Sequence, residues 1–322
     1  MAIAAKNPLL DALGIALGRM ASSPTIGLMS VHGAVQGAQQ QIQARPWAAR
    51  LGRALRLGAL LWLGALAGPA AVAADATSVY LEDLTWPELR ERLAQGSTTV
   101  LVPIGGTEQN GPHMTLGKHN SRVHALAGQI AQKLGHTLVA PVLAYVPEGN
   151  IHPPQAHMRF VGTLSIPEAT FESVLEATAR SLKQHGFKDV FFVGDHGGYQ
   201  KNELHVAAKL NRDWALDPAC RVHALTEYYH AAQGDFAQAL KSKGYSAQEV
   251  GTHAGLDDTA LSLAVDPGSV RLAALPQAHN ASDGVYGDAR RASADLGQLG
   301  VQLIVERSVR AIQASLSQRK LP

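Results

Sequence analysis

Short apolar runs alternate with helically spaced apolar positions along the chain after about residue 80. Apolar runs predict buried strands at 98–104, 137–145, 189–193 and 221–225. Apolar residues recur every three to four positions between and after them, which predicts helices at about 121–134, 167–185, 200–214, 258–265 and 292–318. Strands without polar alternation are buried on both faces. The order therefore predicts an α/β protein of three α/β/α layers around a mostly parallel central sheet.

Polar side chains are concentrated directly behind two of the predicted strands. Glu108 and His119 follow the strand at 98–104, and His196 follows the strand at 189–193 between glycines. In parallel sheets, ligands gather at the carboxyl ends of the strands. We therefore expect these three side chains to meet. One carboxylate and two imidazoles are a common ligand set for catalytic zinc or manganese with an open water position. The alternative is a hydrogen-bonded polar loop without a metal.

The first 73 residues have the features of a leader. A basic stretch at 45–56 precedes an apolar run at 57–67, and Ala71-Val72-Ala73 fits the small-residue cleavage rule. We expect a signal peptide at about 45–73, a secreted or periplasmic protein, and one hydrolase domain at 74–322. The apolar run is short for a membrane span, so no membrane association is expected after cleavage. Because 44 residues precede this pattern, we also expect translation to start downstream of Met1.

Charge and cysteine content exclude several classes of protein. The leader holds six basic groups and one acid, so the remainder of the chain is weakly acidic and has no basic face for nucleic acid. Cys220 is the single cysteine, which excludes an internal disulfide and a cysteine-based metal cluster. Fourteen histidines are many for this length. Those beside glycines at strand ends are the candidates for chemistry.

Five short motifs, in order, resemble those of the creatininase (creatinine amidohydrolase) family. The segment 105–119 resembles the family's G-x-x-E-Q-H-G-P-H-L-P-L-x-x-D, and 194–199 resembles N-G-H-G-G-N. His253 to Ala260 resembles H-A-G-E-x-E-T-S, with weaker matches at 157–163 and 284–288. The resemblance implies the family's fold, a metal-dependent amidohydrolase, a small-molecule substrate and a homo-oligomer. It also implies that Glu108, His119 and His196 bind the first metal.

The departures from these motifs bear on the second metal that the family typically holds. Asn110 stands where the family has a histidine ligand, Gly198 where creatininase has a glutamate, and His119 where the family has a bridging aspartate. A neutral imidazole commits one lone pair and cannot bridge two metals as a carboxylate does. We therefore predict one metal per subunit, zinc or manganese. Asp258 could add a carboxylate near the position of the second metal, so a weak second site stays open as an alternative.

The resemblance also assigns roles outside the ligand set. His253 corresponds to the family's catalytic histidine, which shuttles a proton to the leaving nitrogen, and Asp258 is expected to orient it or the water. Asn110 is expected to orient substrate or water, or to form a turn before Gly111. Tyr228 and Tyr229, which follow the last predicted strand, are expected to contact the substrate. Asp195 and His113 are expected to support the metal ligands.

Two functions remain open from the sequence. The first is a metal hydrolase that opens a cyclic amide or a related C–N bond of a small molecule, with water as the nucleophile. The second is a non-catalytic protein that binds a small molecule or a metal on the same scaffold. Retention of Glu108, His119, His196 and His253 favours the first, and the changes at Asn110 and Gly198 favour the second.

Overall fold

The computed structural model describes residues 78–277 and 279–318. The predicted leader at 1–73 lies outside the described residues, so its signal peptide and the expected downstream start stay predictions. In the described part of the chain, no helix combines the length and hydropathy needed to cross a membrane.

The central sheet has four parallel strands in the order β2-β1-β3-β4. They are β1 (Thr99–Ile104), β2 (Thr137–Val139), β3 (Asp189–Gly194) and β4 (Arg221–Ala224). In the longest pairing, Thr99 lies opposite Asp189 and Ile104 lies opposite Gly194, so β1 and β3 end side by side. The parallel sheet predicted from the apolar runs is confirmed.

Nine α-helices connect and cover these strands in the described residues. They are α1 (Trp86–Ala94), α2 (Lys118–Leu134), α3 (Glu168–Gln184), α4 (Gln200–Asp213), α5 (Thr226–His230), α6 (Ala237–Ser242), α7 (Ala247–Val250), α8 (Leu256–Val265) and α9 (Ala294–Ser317). A π-helical turn, Ala231–Phe236, joins α5 to α6. The short helix α1 begins with the capping box of Thr85 and Glu88.

Two hydrophobic cores lie on opposite faces of the sheet. Leu101 and Phe191 face a core with α2, α8 and α9, while their neighbours Val100 and Val190 face a core with α3 and α4. Successive strand residues point to opposite faces, so each strand contributes to both cores. The architecture is the predicted three-layer α/β/α sandwich.

Three element boundaries differ from the prediction. The run at 137–145 forms a strand only over Thr137–Val139, because Pro141 has no N–H to donate and interrupts the ladder, which resumes as a single bridge between Leu143 and Ile104. The helix expected from residue 121 begins at Lys118, which places His119 in its first turn instead of on a loop. A short helix, α7, lies at Ala247–Val250, where no helix was predicted, and Ser246 caps its N-terminus.

Candidate metal centre

A buried carboxylate, Glu108, lies at the centre of the site with four imidazoles around it. Its Oε1 is 2.8 Å from Nε2 of His119 and 3.7 Å from Nδ1 of His253. Its Oε2 is 3.1 Å from Nε2 of His157 and 3.6 Å from Nε2 of His196. Glu108 is fully buried, and its Oε2 has no hydrogen-bond partner among the described residues.

The topology explains why these groups meet. Glu108 lies on the loop that leaves β1, and His196 follows the adjacent β3. The same loop leads into α2, whose first turn carries His119 back towards Glu108. The loop is fastened to this helix because Asn120 Oδ1 accepts a hydrogen bond from the N–H of Gly106 at 2.9 Å.

A buried charge network fixes His119. Its Nδ1 lies 2.6 Å from Oδ2 of Asp195, which also accepts from Nε of Arg122 at 2.8 Å. Since a carboxylate only accepts, Nδ1 donates to Asp195, and Nε2 is hydrogen-bonded to Oε1 of Glu108 at 2.8 Å. A cation bound between Nε2 and Oε1 would take the place of the hydrogen in that contact.

Arg122 also joins Asp195 to Asp258. Its NH1 donates to Oδ1 of Asp258 at 2.9 Å, and Lys118 Nζ donates to Oδ2 at 2.6 Å. Burial opposes the charged form of Asp258, but Lys118 and Arg122 outweigh it and hold its pKa well below the usual range. Burial likewise opposes ionisation of Glu108, yet its hydrogen bond with His119 and the surrounding positive charges keep its pKa well below normal.

His253 presents an unprotonated nitrogen to the centre. Its Nε2 lies 3.0 Å from the backbone oxygen of Gln109 and 3.1 Å from the Gln109 side-chain nitrogen, whose two protons are directed at His157 and at the backbone oxygen of Gly284. With the backbone oxygen as its acceptor, Nε2 carries the proton, and Nδ1 faces Glu108 with its lone pair. Burial, followed by the charge of Lys118, lowers the pKa of His253 to about 4. The ring is therefore neutral at pH 7 and able to accept a proton.

His157 is oriented the opposite way. Gln109 Oε1 accepts from the N–H of Gly111, which directs the Gln109 amide nitrogen towards Nδ1 of His157 at 3.0 Å. In this network Nδ1 of His157 is an acceptor, and its Nε2 carries the proton that faces Glu108. His157 thus offers a hydrogen-bond donor where a metal ligand needs a lone pair.

Two groups of side chains in the described residues have the spacing of a metal site. They are Glu108 with His119 and His196, and Glu108 with His157 and His253. Zinc–nitrogen and zinc–oxygen bonds of about 2.0–2.1 Å place neighbouring tetrahedral ligands about 3.3 Å apart. The distances of 2.8 Å from Glu108 Oε1 to His119 and of 3.6 Å from Glu108 Oε2 to His196 lie on either side of that value. The first group therefore fits a divalent metal, and the orientation of His157 weighs against the second.

Two cavities meet at the pair His157 and His196. The smaller, about 260 Å³, is also lined by Lys118, His253 and Tyr229. The larger, about 640 Å³, extends towards Glu148. Burial and the charge of Asp258 raise the pKa of Tyr229 to about 12, so its hydroxyl stays protonated. The smaller cavity contains the groups that could act on a bound molecule.

The structure places four predicted site residues differently from expectation. Tyr228 is fully buried and donates to Asp195, so it is a support of the network and does not line either cavity. Asn110 is also buried, and its amide donates to two backbone oxygens of its own loop. Asp258 lines the smaller cavity, but its hydrogen bonds go to Lys118, Arg122 and a backbone N–H, with none to His253.

The fourth is His113, which was expected to support the ligands. Its Nε2 lies 3.0 Å from the hydroxyl of Thr259, and its ring stacks on His279. It joins the loop after β1 to α8 and makes no hydrogen bond to the ligand set. Tyr229, by contrast, lies in the smaller cavity, and Asp195 contacts His119 directly as expected.

Sequence reasoning missed Glu148, Lys118 and Arg122. Glu148 is buried, and burial together with the charge of Glu108 raises its pKa to about 9. It follows the apolar run at 137–145, and an acidic residue directly behind a predicted strand could have marked it as a candidate for the site. The spacing of Lys118, His119 and Arg122 on one helix face would have linked them once the helix start was known.

Known proteins resemble this chain over most of the described domain. The family model Creatininase (creatinine amidohydrolase) matches residues 82–312. The creatinine amidohydrolase of Pseudomonas putida is 25% identical over 73% of this chain and 96% of its own length. The 3-dehydro-scyllo-inosose hydrolase of Thermotoga maritima is 26% identical over 59% of this chain, and the match spans only 57% of that relative.

Solved structures of creatininases share this fold. A solved manganese creatininase superimposes with a TM-score of 0.63 at 24% identity, covering 74% of this chain and 98% of that one. At this identity the likeness concerns the fold. Because the family model spans more than two thirds of the chain, the protein belongs to the creatininase family of amidohydrolases.

Proposed function

We propose that this protein hydrolyses a cyclic amide, or a related C–N bond, of a small molecule with one bound zinc or manganese ion. The observation that carries the proposal is the buried Glu108 with His119 and His196 at ligand spacing and His253 alongside. The relatives support it, since both curated proteins are hydrolases by name and the solved neighbour is a manganese form.

The residues around Glu108, His119 and His196 favour one bound metal over two. Glu108, His119 and His196 would hold it, and bound metal would polarise a substrate carbonyl and lower the pKa of water. Gly198 offers no side chain, the amide nitrogen of Asn110 donates to two backbone oxygens of its own loop, and His157 turns its protonated Nε2 towards Glu108.

The protein's own residues supply the proton chemistry. His253, neutral and with its Nδ1 lone pair towards the centre, accepts a proton from the attacking water. The same nitrogen then returns the proton to the leaving nitrogen, which must depart as a neutral amine. Tyr229 lines the cavity with a protonated hydroxyl that can donate to a substrate oxygen. Asp258 keeps Lys118 and Arg122 in place behind this surface.

A turnover assay tests the proposal. Purified, metal-loaded protein is incubated with a panel of lactams, cyclic ureides and formamides, and ring opening is followed by mass spectrometry. We expect turnover of at least one cyclic amide. His253→Ala should reduce kcat by about 10²- to 10⁴-fold, the usual contribution of a general acid–base group, without loss of metal.

A matched control separates chemistry from damage to the fold. His152→Ala removes an exposed histidine from the loop that carries His157 and should leave kcat unchanged. Turnover that survives His253→Ala would contradict the assigned role. Bound metal without any turnover across the panel would favour the alternative, a non-catalytic small-molecule or metal-binding protein.

Export and assembly are further proposals. The leader pattern at 45–73 supports a secreted or periplasmic location, and the family resemblance supports a homo-oligomer. N-terminal sequencing of native protein and light scattering measure the two directly.

A further inference from the structure

Glu148 carries a buried carboxyl group that the proposed chemistry does not use. It is 2% exposed, and neither of its oxygens has a hydrogen-bond partner among the described residues. The side chain lies against the backbone of Gly106, where a Cβ atom would come within 2.4 Å of Oε1. Burying a carboxyl group without partners costs free energy. Because this group lies beside a candidate metal ligand, we infer that it has a role when the metal is bound.

The candidate ligand is His196, whose two nitrogens face opposite ways. Its Nε2 faces Glu108 at 3.6 Å, and its Nδ1 lies 3.6 Å from Oε2 of Glu148. Here Nδ1 accepts a hydrogen bond from the N–H of Gly198 at 3.2 Å. In a neutral ring this leaves the proton on Nε2, the atom that faces the centre. That tautomer cannot bind a metal.

Metal binding through Nε2 therefore requires the proton on Nδ1. An Nδ1–H group needs an acceptor, and the N–H of Gly198 cannot be one. Glu148 Oε2 is an acceptor within reach of a small rotation of the ring. Gly198 leaves room for that rotation, because a Cβ atom at this position would crowd the ring, at 3.0 Å from Cε1 and 3.1 Å from Nδ1 of His196.

The other histidine of the ligand set already has this arrangement. His119 donates from Nδ1 to Asp195 at 2.6 Å and turns its Nε2 to Glu108. Metal-bound histidines usually donate their second ring N–H to a carboxylate or carbonyl, which fixes the tautomer and ring orientation.

We propose that Glu148 is the positioning residue for His196: its carboxyl group accepts the Nδ1 proton and so holds the ring in the tautomer that binds metal. The inference rests on the metal-dependent function proposed above. Each histidine ligand would then have a carboxyl group as the acceptor for its Nδ1 proton: Asp195, after β3, for His119 and Glu148, on the loop after β2, for His196.

Zinc affinity of the full-length protein tests this role, measured by competition with a chromophoric chelator. Glu148→Leu keeps a side chain of similar size and removes the acceptor, and we expect zinc affinity to fall about 10- to 100-fold. Glu148→Gln keeps an acceptor oxygen and should restore much of the lost affinity. Glu168→Gln is the matched control, because Glu168 lines the same larger cavity from an exposed position, and its affinity should equal that of the wild type.

The outcomes distinguish a failure of the role proposed for Glu148 from a failure of the proposed metal-dependent function. Thermal unfolding of metal-free protein shows that each variant is folded, and a purely structural role would leave zinc affinity the same in Glu148→Leu and Glu148→Gln. Wild-type affinity in Glu148→Leu overturns the role of Glu148 while leaving the metal site intact. A wild-type protein that binds no zinc overturns both this inference and the proposed function.

Discussion

At the scale of single residues, the site depends on which nitrogen of each histidine carries the proton. The sequence predicted that Glu108, His119 and His196 would meet, because two polar clusters follow strands that end side by side. It could not predict tautomers, since these depend on partners such as Asp195 and Gln109 that become neighbours only in the fold. For the same reason it assigned Asn110 to substrate, while the fold turns its amide to backbone oxygens.

His113 gives a prediction about pH and stability. Burial is the main cause that lowers its pKa to about 4, compared with about 6.5 in an unfolded chain. The unfolded state therefore binds more protons between these values, so this contribution to stability is present above pH 6.5 and is lost as the pH falls towards 4. We expect His113 to account for a loss of about 2 kcal/mol of unfolding free energy between pH 7 and pH 5.

Urea unfolding of wild type and His113→Gln at the two pH values measures this contribution. The variant should lose less stability on acidification than the wild type, even if it is less stable at pH 7. Equal losses in the two proteins would show that His113 is not responsible. His136→Gln serves as the control, because His136 is exposed and its removal should leave the pH dependence unchanged.

At the scale of elements, the first turn of α2 organises one side of the centre. Lys118, His119 and Arg122 all project from it into the site, with fully buried charges on Lys118 and Arg122. The apolar spacing predicted this helix but placed its start at residue 121, because the first turn is polar and carries no apolar signal. Glu148 likewise carries no apolar signal, because it lies on the loop between β2 and α3.

Arg122 gives a prediction about the stability of this element. Replacing it by Met leaves Asp195 and Asp258 buried without one of their main partners. Removing one member of a buried ion pair typically costs about 3–5 kcal/mol of unfolding free energy. Chemical denaturation of Arg122→Met should show a loss of that size.

Arg310 provides the matched control. It forms an exposed pair with Glu306 at 3.7 Å, one turn apart on α9. Exposed pairs of this kind contribute about 0.3–0.5 kcal/mol, so Arg310→Met should be nearly neutral. Equal effects of the two substitutions would contradict the structural role assigned to the network around Arg122.

At the scale of the whole molecule, the sheet brings distant segments to one edge. Loops after β1 and β3 supply Glu108 and His196, and those two could be predicted because parallel strands end at a common edge. His157 and Glu148 arrive on a long loop between β2 and α3, where no periodic pattern fixes direction. His253 arrives at the start of α8, and only its resemblance to a family motif placed it at the site in advance.

Metal content is the central claim at this scale, and elemental analysis by inductively coupled plasma mass spectrometry tests it most directly. Protein is purified from cultures supplied with both zinc and manganese, as wild type, His119→Ala and His152→Ala. The account predicts about one equivalent of zinc or manganese per chain in the wild type and in His152→Ala, and almost none in His119→Ala. A wild type without stoichiometric metal, two equivalents per chain, or full metal content in His119→Ala would contradict it.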